Sequence, residues 1–359
     1  MCACASVCAC LLTYVLVTGQ VKKVPRWKKC MHACINALPD DVGKIFVRHF
    51  FSADTKQHAE HMILRLKAAF RNDFLHLDWL RNTTKQAGLD KLHHMFFAVG
   101  QPAYWDYYNG VYLVRDKYLW NGLQLSEWYI KKSFRRLVEK ADPRRWGSTS
   151  PTETDAFYSY TANGLFVPAG VLQKPFFSPE YDPARNFGAL GAILGHEITH
   201  GFDDQGRKFG RRGTLANWWT RDDSRRFEEK ARCIAHFYSS FSFFGRHVNG
   251  DLTLGEDIAD MGGVKVAYSA LGALAEERAS SHGTGGLSQQ EQRLFFLAWG
   301  QNWCMVERRR AAELQMMTDE HAPNSLRVNG PLMNFKPFAD AYSCPAGSYM
   351  APTHKCRLW

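Results

Sequence analysis

The spacing of apolar residues changes along this chain, and each change marks a different element. From Trp27 to about Gln101 hydrophobic positions recur at three and four, as in Val42-x-x-Ile45-Phe46 and Met62-Ile63-x-x-Leu66-x-x-Ala69-Phe70. That is the period of helices burying one face. Residues 73–79 and 84–97 read as further helices, and Gly100-Gln101-Pro102 breaks the run. An aromatic-rich stretch, 104–118, leads into a helix over about 123–139, which Asp142-Pro143 stops. Between Pro151 and Pro168 the period drops to two. Residues 155–160 and 165–167 predict strands joined by a turn at 161–164. An exposed edge there would bind a peptide backbone by strand addition, and an ordinary core hairpin fits the pattern equally. The apolar run 187–194 predicts a buried helix that packing must hold, because its glycines lower helix propensity. Helices over about 221–241 and 288–305 follow, with another starting near Thr253.

With 359 residues, 45% of them hydrophobic, the chain is long enough for one large domain or two smaller ones. Its net charge is +10. The basic residues are scattered and do not interleave with aromatics, so the charge predicts solvated faces and no nucleic-acid partner. There are ten cysteines. Four fall at Cys2, Cys4, Cys8 and Cys10, and none is in Cys-x-x-Cys spacing, which argues against a structural zinc ribbon. Cys344 and Cys356 bracket a Pro/Gly-rich tail of the kind stapled by disulfides in an oxidising compartment. Asn82-Thr83-Thr84 is a glycosylation sequon. Residues 1–20 are uncharged and 11–17 strongly apolar. They read as a secretory leader or an artefactual start in preference to a membrane span, although the basic start of a leader is missing.

The candidate chemistry centres on His196-Glu197-Ile198-Thr199-His200. On a helix, residues four apart leave the same face, so the two imidazoles suit one zinc ion, with Glu197 beside them as general base. A metzincin would continue with glycine and histidine where Asp203 and Gly206 stand, and is excluded. Downstream, Thr253 and Glu256 have the spacing of a helix capping box. Glu256 is equally placed to be a third ligand, with Asp260 one turn later to orient a zinc-bound histidine. Gly262-Gly263 would let that helix pack closely on the histidine helix. His321 precedes Ala322-Pro323 on a loop, where catalytic groups often sit.

These motifs together, with Val167-Pro-Ala-Gly-Val-Leu-Gln-x-Pro-Phe-Phe177 and the terminal Cys356-Arg357-Leu358-Trp359, resemble the neprilysin and endothelin-converting-enzyme family of zinc metallopeptidases. The resemblance runs from about Trp27 to Trp359. It implies an α+β, predominantly helical fold: a thermolysin-like (gluzincin) catalytic domain with a small β-sheet over 116–359, and the remnant of a helical lid lobe over 21–115. It implies one Zn2+ per chain, held by His196, His200 and Glu256. Glu197, Asp260 and His321 are the implied catalytic residues: base, proton donor and oxyanion stabiliser. Asp155, Ala156, Phe176, Ile193, Trp303 and Arg327 are the implied substrate contacts, and Asp319 a supporting residue behind them. The family usually has asparagine at Asp155, so an acceptor-only carboxylate replaces an amide there. Asn302 stands where the family tends to be apolar. Family members pair Cys233 with Cys356, and pair Cys30, Cys304 and Cys344 with cysteines earlier in a longer chain. The expected activity is zinc-dependent hydrolysis of short peptides on the amino side of bulky apolar residues, by Glu-assisted attack of an activated water. The alternative is a truncated, impaired member that binds peptides or partners. The implied location is extracellular, with a membrane reached only through the family's anchor.

Overall fold

Four helices open the described chain: α1 (Arg26–Ala37), α2 (Pro39–Phe50), α3 (Ala53–Leu75) and α4 (Asn82–His94). The computed structural model describes residues 22–147, 149–282 and 285–359, so the apolar stretch at 11–17 lies outside the described residues. Ser52 caps α3 by accepting the Thr55 amide at 3.0 Å, satisfying one of the donors a helix start leaves open. The three-and-four repeat of α3 buries Met62, Ile63, Leu66, Ala69 and Phe70. Each large side chain so buried contributes roughly 1.5–3 kcal/mol. Asn82 is the exposed first residue of α4.

The helix expected over 84–97 ends earlier, at His94. Phe96–Gly100 is strand β1, parallel to a later strand. Its Phe-Phe-Ala-Val run continues the apolar signal of the helix before it. Three of its residues are half-buried and two buried, in one unbroken apolar run, so there is no alternation that would betray it. Helix α5 (Tyr118–Arg136) follows, shifted toward the N-terminus of its expected span. The expected hairpin forms as β2 (Phe157–Ser159) and β3 (Gly164–Pro168), antiparallel with Phe157 opposite Phe166. The sheet order is β1-β3-β2, with β2 at an edge.

Helix α6 (Pro183–Asn186), a π turn (Phe187–Gly191) and α7 (Ala192–His200) run on as one buried rod. Asn302 donates to the Ala189 carbonyl of the π turn at 3.0 Å, a polar use for a side chain where an apolar one was expected. Helix α8 (Arg221–Ser239), the hairpin β4 (Ser242–Phe243) and β5 (Arg246–His247), and α9 (Leu254–His282) come next. The C-terminal helices are α10 (Gln289–Asn302), α11 (Arg309–Thr318), α12 (Asn324–Asn334) and α13 (Lys336–Tyr342). The last three were not foreseen: none has a long apolar repeat, and α12 carries Pro331 inside it.

Helices α7 and α9 touch backbone to backbone. A Cβ added to Gly263 would lie 2.5 Å from the Ala192 carbonyl and 2.6 Å from the His196 nitrogen. One added to Gly195 would lie 2.8 Å from the Gly263 carbonyl. No other residue fits, and the close packing expected of Gly262-Gly263 follows. The core is one cluster in which Ile63, Leu66 and Phe70 join Leu190, Leu194, Ile258 and Trp299. The Cys233–Cys356 disulfide ties α8 to the C-terminal tail. Trp359 then packs against Phe70, Phe74 and Phe202. Among the described residues Cys30, Cys34, Cys304 and Cys344 are free thiols.

Candidate metal centre

One turn of α7 puts His196 and His200 side by side, with their Nε2 atoms 2.9 Å apart. Both rings are buried, and each is held from behind. His196 Nδ1 lies 2.8 Å from Asp260 Oδ1, and His200 Nδ1 lies 2.6 Å from Asp203 Oδ2. A carboxylate at Nδ1 keeps the proton there and turns the Nε2 lone pair toward the other imidazole. Asp260 sits on α9 and also accepts two hydrogen bonds from Arg327, from Nε to Oδ2 and from Nη2 to Oδ1, both 2.8 Å. The Arg327 guanidinium in turn stacks on the Trp303 ring, 3.8 Å from its centre.

Glu256, in the first turn of α9, points into the same space. Its Oε2 lies 3.1 Å from His196 Nε2 and its Oε1 3.5 Å from His200 Nε2. Oε2 is buried and makes no hydrogen bond, as expected toward His196 when its Nε2 is an acceptor. The Thr253 hydroxyl meanwhile bonds Asp257 at 2.7 Å. Three groups therefore aim lone pairs at one point, an arrangement that repels itself unless positive charge sits between them. Burial lowers the pKa of both histidines, but the carboxylates facing them, Asp260 and Glu256 at His196 and Asp203 and Glu256 at His200, outweigh it and raise both. The cradle draws positive charge. Two imidazole nitrogens and a carboxylate are zinc's donor set, with a fourth position open, so these residues fit that ion.

Glu197 is buried next to the pair, its Oε1 3.9 Å from His196 Nε2. A ligand atom from each of His196, Glu197 and His200 lies within 4.8 Å of the others. Burial pushes the Glu197 pKa up to about 7; the histidines oppose this, and the carboxylates of Asp155 and Glu256 add to it. Burial would raise the pKa of Asp260 too, but Arg327 and His196 prevail and hold it low. His321 brings Nε2 to 3.1 Å from Glu256 Oε2. Asp319 accepts from the His321 amide at 2.9 Å and touches its Nδ1 at 2.7 Å. Its imidazole is 39% exposed, so this is the open side of the centre. Asp155 and Ala156 lead into edge strand β2, which packs on α7. Phe176, Ile193 and Trp303 are half-buried at the margin of the core.

Two supporting residues were not singled out from sequence. Asp203, fully buried, holds His200 and also receives the Tyr160 hydroxyl at 3.1 Å and the Gly206 amide at 2.5 Å. Its place three residues after His200, on the turn that follows α7, was the available signal. Lys91 was invisible: its buried Nζ donates to the carbonyls of Gly201, Gly206 and Phe209 at 2.6–2.8 Å. It thereby pins the loop that carries Asp203.

Residues 155–358 match the model of Peptidase family M13, and residues 13–102 match a second model of that family. The chain is 35% identical over 343 residues to endothelin-converting enzyme 1 of Homo sapiens, covering 94% of this chain and 44% of that protein. It is 36% identical to neprilysin-11 of Caenorhabditis elegans, with 96% and 42% covered. In three dimensions it resembles the Mycobacterium tuberculosis zinc metalloprotease Zmp1 solved with an inhibitor. That match has a TM-score of 0.88 and 30% identity, and covers 96% of this chain and 53% of that one. PepO from Lactobacillus rhamnosis HN001 superposes with a TM-score of 0.83 at 28% identity, covering 94% of this chain and 52% of that one. The chain thus spans about half the length of the relatives it matches. The likeness agrees with the expected α+β, mostly helical, thermolysin-like architecture.

Proposed function

Because the chain belongs to Peptidase family M13, we propose that it hydrolyses peptide bonds in short peptides at the centre formed by α7 and α9. His196, His200 and Glu256 would hold a single zinc ion. When bound, zinc supplies Lewis acidity, polarising a carbonyl and lowering the pKa of water toward about 7. The remaining work falls to the chain's own groups. Glu197 takes the proton of the attacking water and returns it to the leaving amine, a role its pKa of about 7 suits. His321 donates to the oxygen that becomes an oxyanion, and Asp319 orients it. Asp260 keeps His196 in the right tautomer. With Arg327 Nε and Nη2 engaged by Asp260, Nη1 serves a substrate carbonyl. Asp155 and Ala156 present the edge along which a peptide lies. Phe176, Ile193 and Trp303 favour a bulky apolar side chain after the cut.

The observation that carries this reading is the convergence of His196 Nε2, His200 Nε2 and the Glu256 carboxylate within 3.5 Å of one another along their closest approaches. Incubating the zinc-loaded chain with an internally quenched peptide, and sequencing the products, tests it. We expect cuts on the amino side of bulky apolar residues, silenced by a chelator and restored by zinc. A zinc-loaded chain that leaves every such peptide intact would sink the proposal.

A second reading, a protein that binds peptides without turning them over, is favoured by Asp155. Its carboxylate adds to the negative charge around Glu197. Asp155→Asn separates the two: recovered turnover in an otherwise silent chain marks an impaired enzyme. The disulfide supports an oxidising, extracellular location, where the exposed Asn82 would carry a glycan. Among the described residues no helix is long and apolar enough to cross a membrane. No nucleic-acid partner is proposed.

A further inference from the structure

Basic pairs that stand apart in the sequence meet on one face of the folded chain. Residues 131–145 hold seven basic side chains and two acidic ones, a surplus of five in a protein whose net charge is +10. They come as Lys131-Lys132, Arg135-Arg136 and Arg144-Arg145, with Lys140 between. The end of α5 and the segment after it bring Lys132, Arg135, Arg136, Arg144 and Arg145 onto one cavity of about 560 Å3. We propose that this cavity binds a sulfated glycan, whose sulfate groups the arginines hold. The inference is independent of the proposed peptidase activity, and His196, Glu197, His200 and Glu256 do not line the cavity.

The counter-charge inside the protein is incomplete. Four carboxylates share the cavity: Asp40, Asp106, Glu139 and Asp142. Lys132 engages Asp106, and Arg145 Nη1 donates to Glu139 Oε2 at 2.8 Å. Asp142 accepts the backbone amide of Arg144 at 3.0 Å. Among the described residues Arg135, Arg136 and Arg144 form no ion pair, and Arg136 Nε is buried without a hydrogen-bond partner. The crowding shows at Lys132. Burial lowers its pKa to about 8; Arg136, Arg145 and Arg135 add to this, and Asp40 opposes it. An anion entering among such cations relieves their mutual repulsion.

The chemistry of the lining selects the anion. A guanidinium meets the oxygens of a tetrahedral anion with a planar fork of parallel N–H donors. Tyr104 and Tyr107 also border the cavity and are 79% and 67% exposed. Their open ring faces, negative at the centre, suit the C–H edge of a sugar. The volume falls within the roughly 300–1,000 Å3 of small-ligand sites, room for a short stretch of polymer and more than a single ion needs. Lys131 and Lys140, both exposed, add positive charge for further sulfates. Basic runs of this length are the footprint that heparin-like polymers recognise. Such polymers lie outside the cell, in keeping with the location that the disulfide supports.

Titrating the full chain with a heparin oligosaccharide in a calorimeter, at physiological and at rising salt, tests the site. We expect Arg135→Ser combined with Arg144→Ser to weaken binding by roughly tenfold or more, and to reduce the slope of log affinity against log salt by about two. Lys28→Ser combined with Lys29→Ser removes the same charge from exposed positions of α1 and should leave affinity and slope nearly unchanged. A measurement on the unsubstituted chain needs no variant to fold. The oligosaccharide should slow acetylation of Lys131 and Lys140, read by mass spectrometry, and spare Lys28 and Lys29. Equal losses in the two double variants would overturn the proposal, because net charge alone would then explain binding. So would undiminished binding of the desulfated oligosaccharide, equal binding of a single-stranded oligodeoxynucleotide of the same charge, or unaltered acetylation at Lys131 and Lys140.

Discussion

Glu197 stands one residue from His196, yet its carboxyl is buried and pressed by other carboxylates until it titrates near neutrality. An isosteric amide cannot take a proton. Glu197→Gln should lower kcat by about 10²–10⁴, while elemental analysis finds zinc retained; an unchanged kcat would remove Glu197 from the base role. Asp203 makes a different case, because it touches His200 and no substrate. Asp203→Ala should weaken zinc affinity by about 10–100-fold, read by competition with a chromophoric chelator, and unaltered affinity would show that His200 needs no support. The residues of the centre were legible because helical spacing is strict: four residues bring two imidazoles to one face, and Glu256 and Asp260 repeat the device on α9. What supports them from other elements was not. Lys91 reads as one more lysine in a basic chain, and only the fold shows three carbonyls around it.

Elements set the positions of these side chains, and the α7/α9 contact depends on the absence of carbon. Gly263→Ala places a methyl 2.5 Å from a carbonyl oxygen and 2.6 Å from an amide nitrogen, both backbone atoms. Overpacking of that kind typically costs 1–3 kcal/mol, seen as a lower midpoint in denaturant, and it should weaken zinc binding as α9 shifts. A variant with unchanged stability and affinity would mean that the helices can part without consequence. Lys91→Met removes the donor that joins three carbonyls: those of Gly206 and Phe209 keep the Phe209 amide and the Trp218 indole, while that of Gly201 loses its partner. An unmet buried acceptor costs about 1–3 kcal/mol, so the loop 201–209 should gain hydrogen exchange ahead of α7, and equal protection would refute the pinning. At this scale the elements differ in how plainly their residues announce them. Helix α3 was plain from its repeat. Strand β1 was hidden because its unbroken apolar run carries no period, and α11 to α13 because short helices hold few repeats.

The whole molecule joins the N-terminal helices and the metal-centre helices in one core, so the centre reports on the entire fold. Removing zinc should lower the melting temperature of the chain, and adding it back at a thousandfold excess over Kd should restore about 4 kcal/mol. A melt indifferent to chelation would mean that no ion binds the folded state. The charge of +10 does not mark the centre, since its surplus cations lie on the surface and the centre's own charges are buried. The tail was legible in outline, as a stapled segment, but its docking of Trp359 against α3 required the fold.

The bare contact between Gly195 and Gly263 has one more effect. With no side chain between the two rods there is nothing there to swivel, so the helices that carry the proposed donors have no play against each other at this contact. Warmth or an entering peptide must carry them as a block, and the protein should surrender its ion all at once, when that pair of rods comes apart.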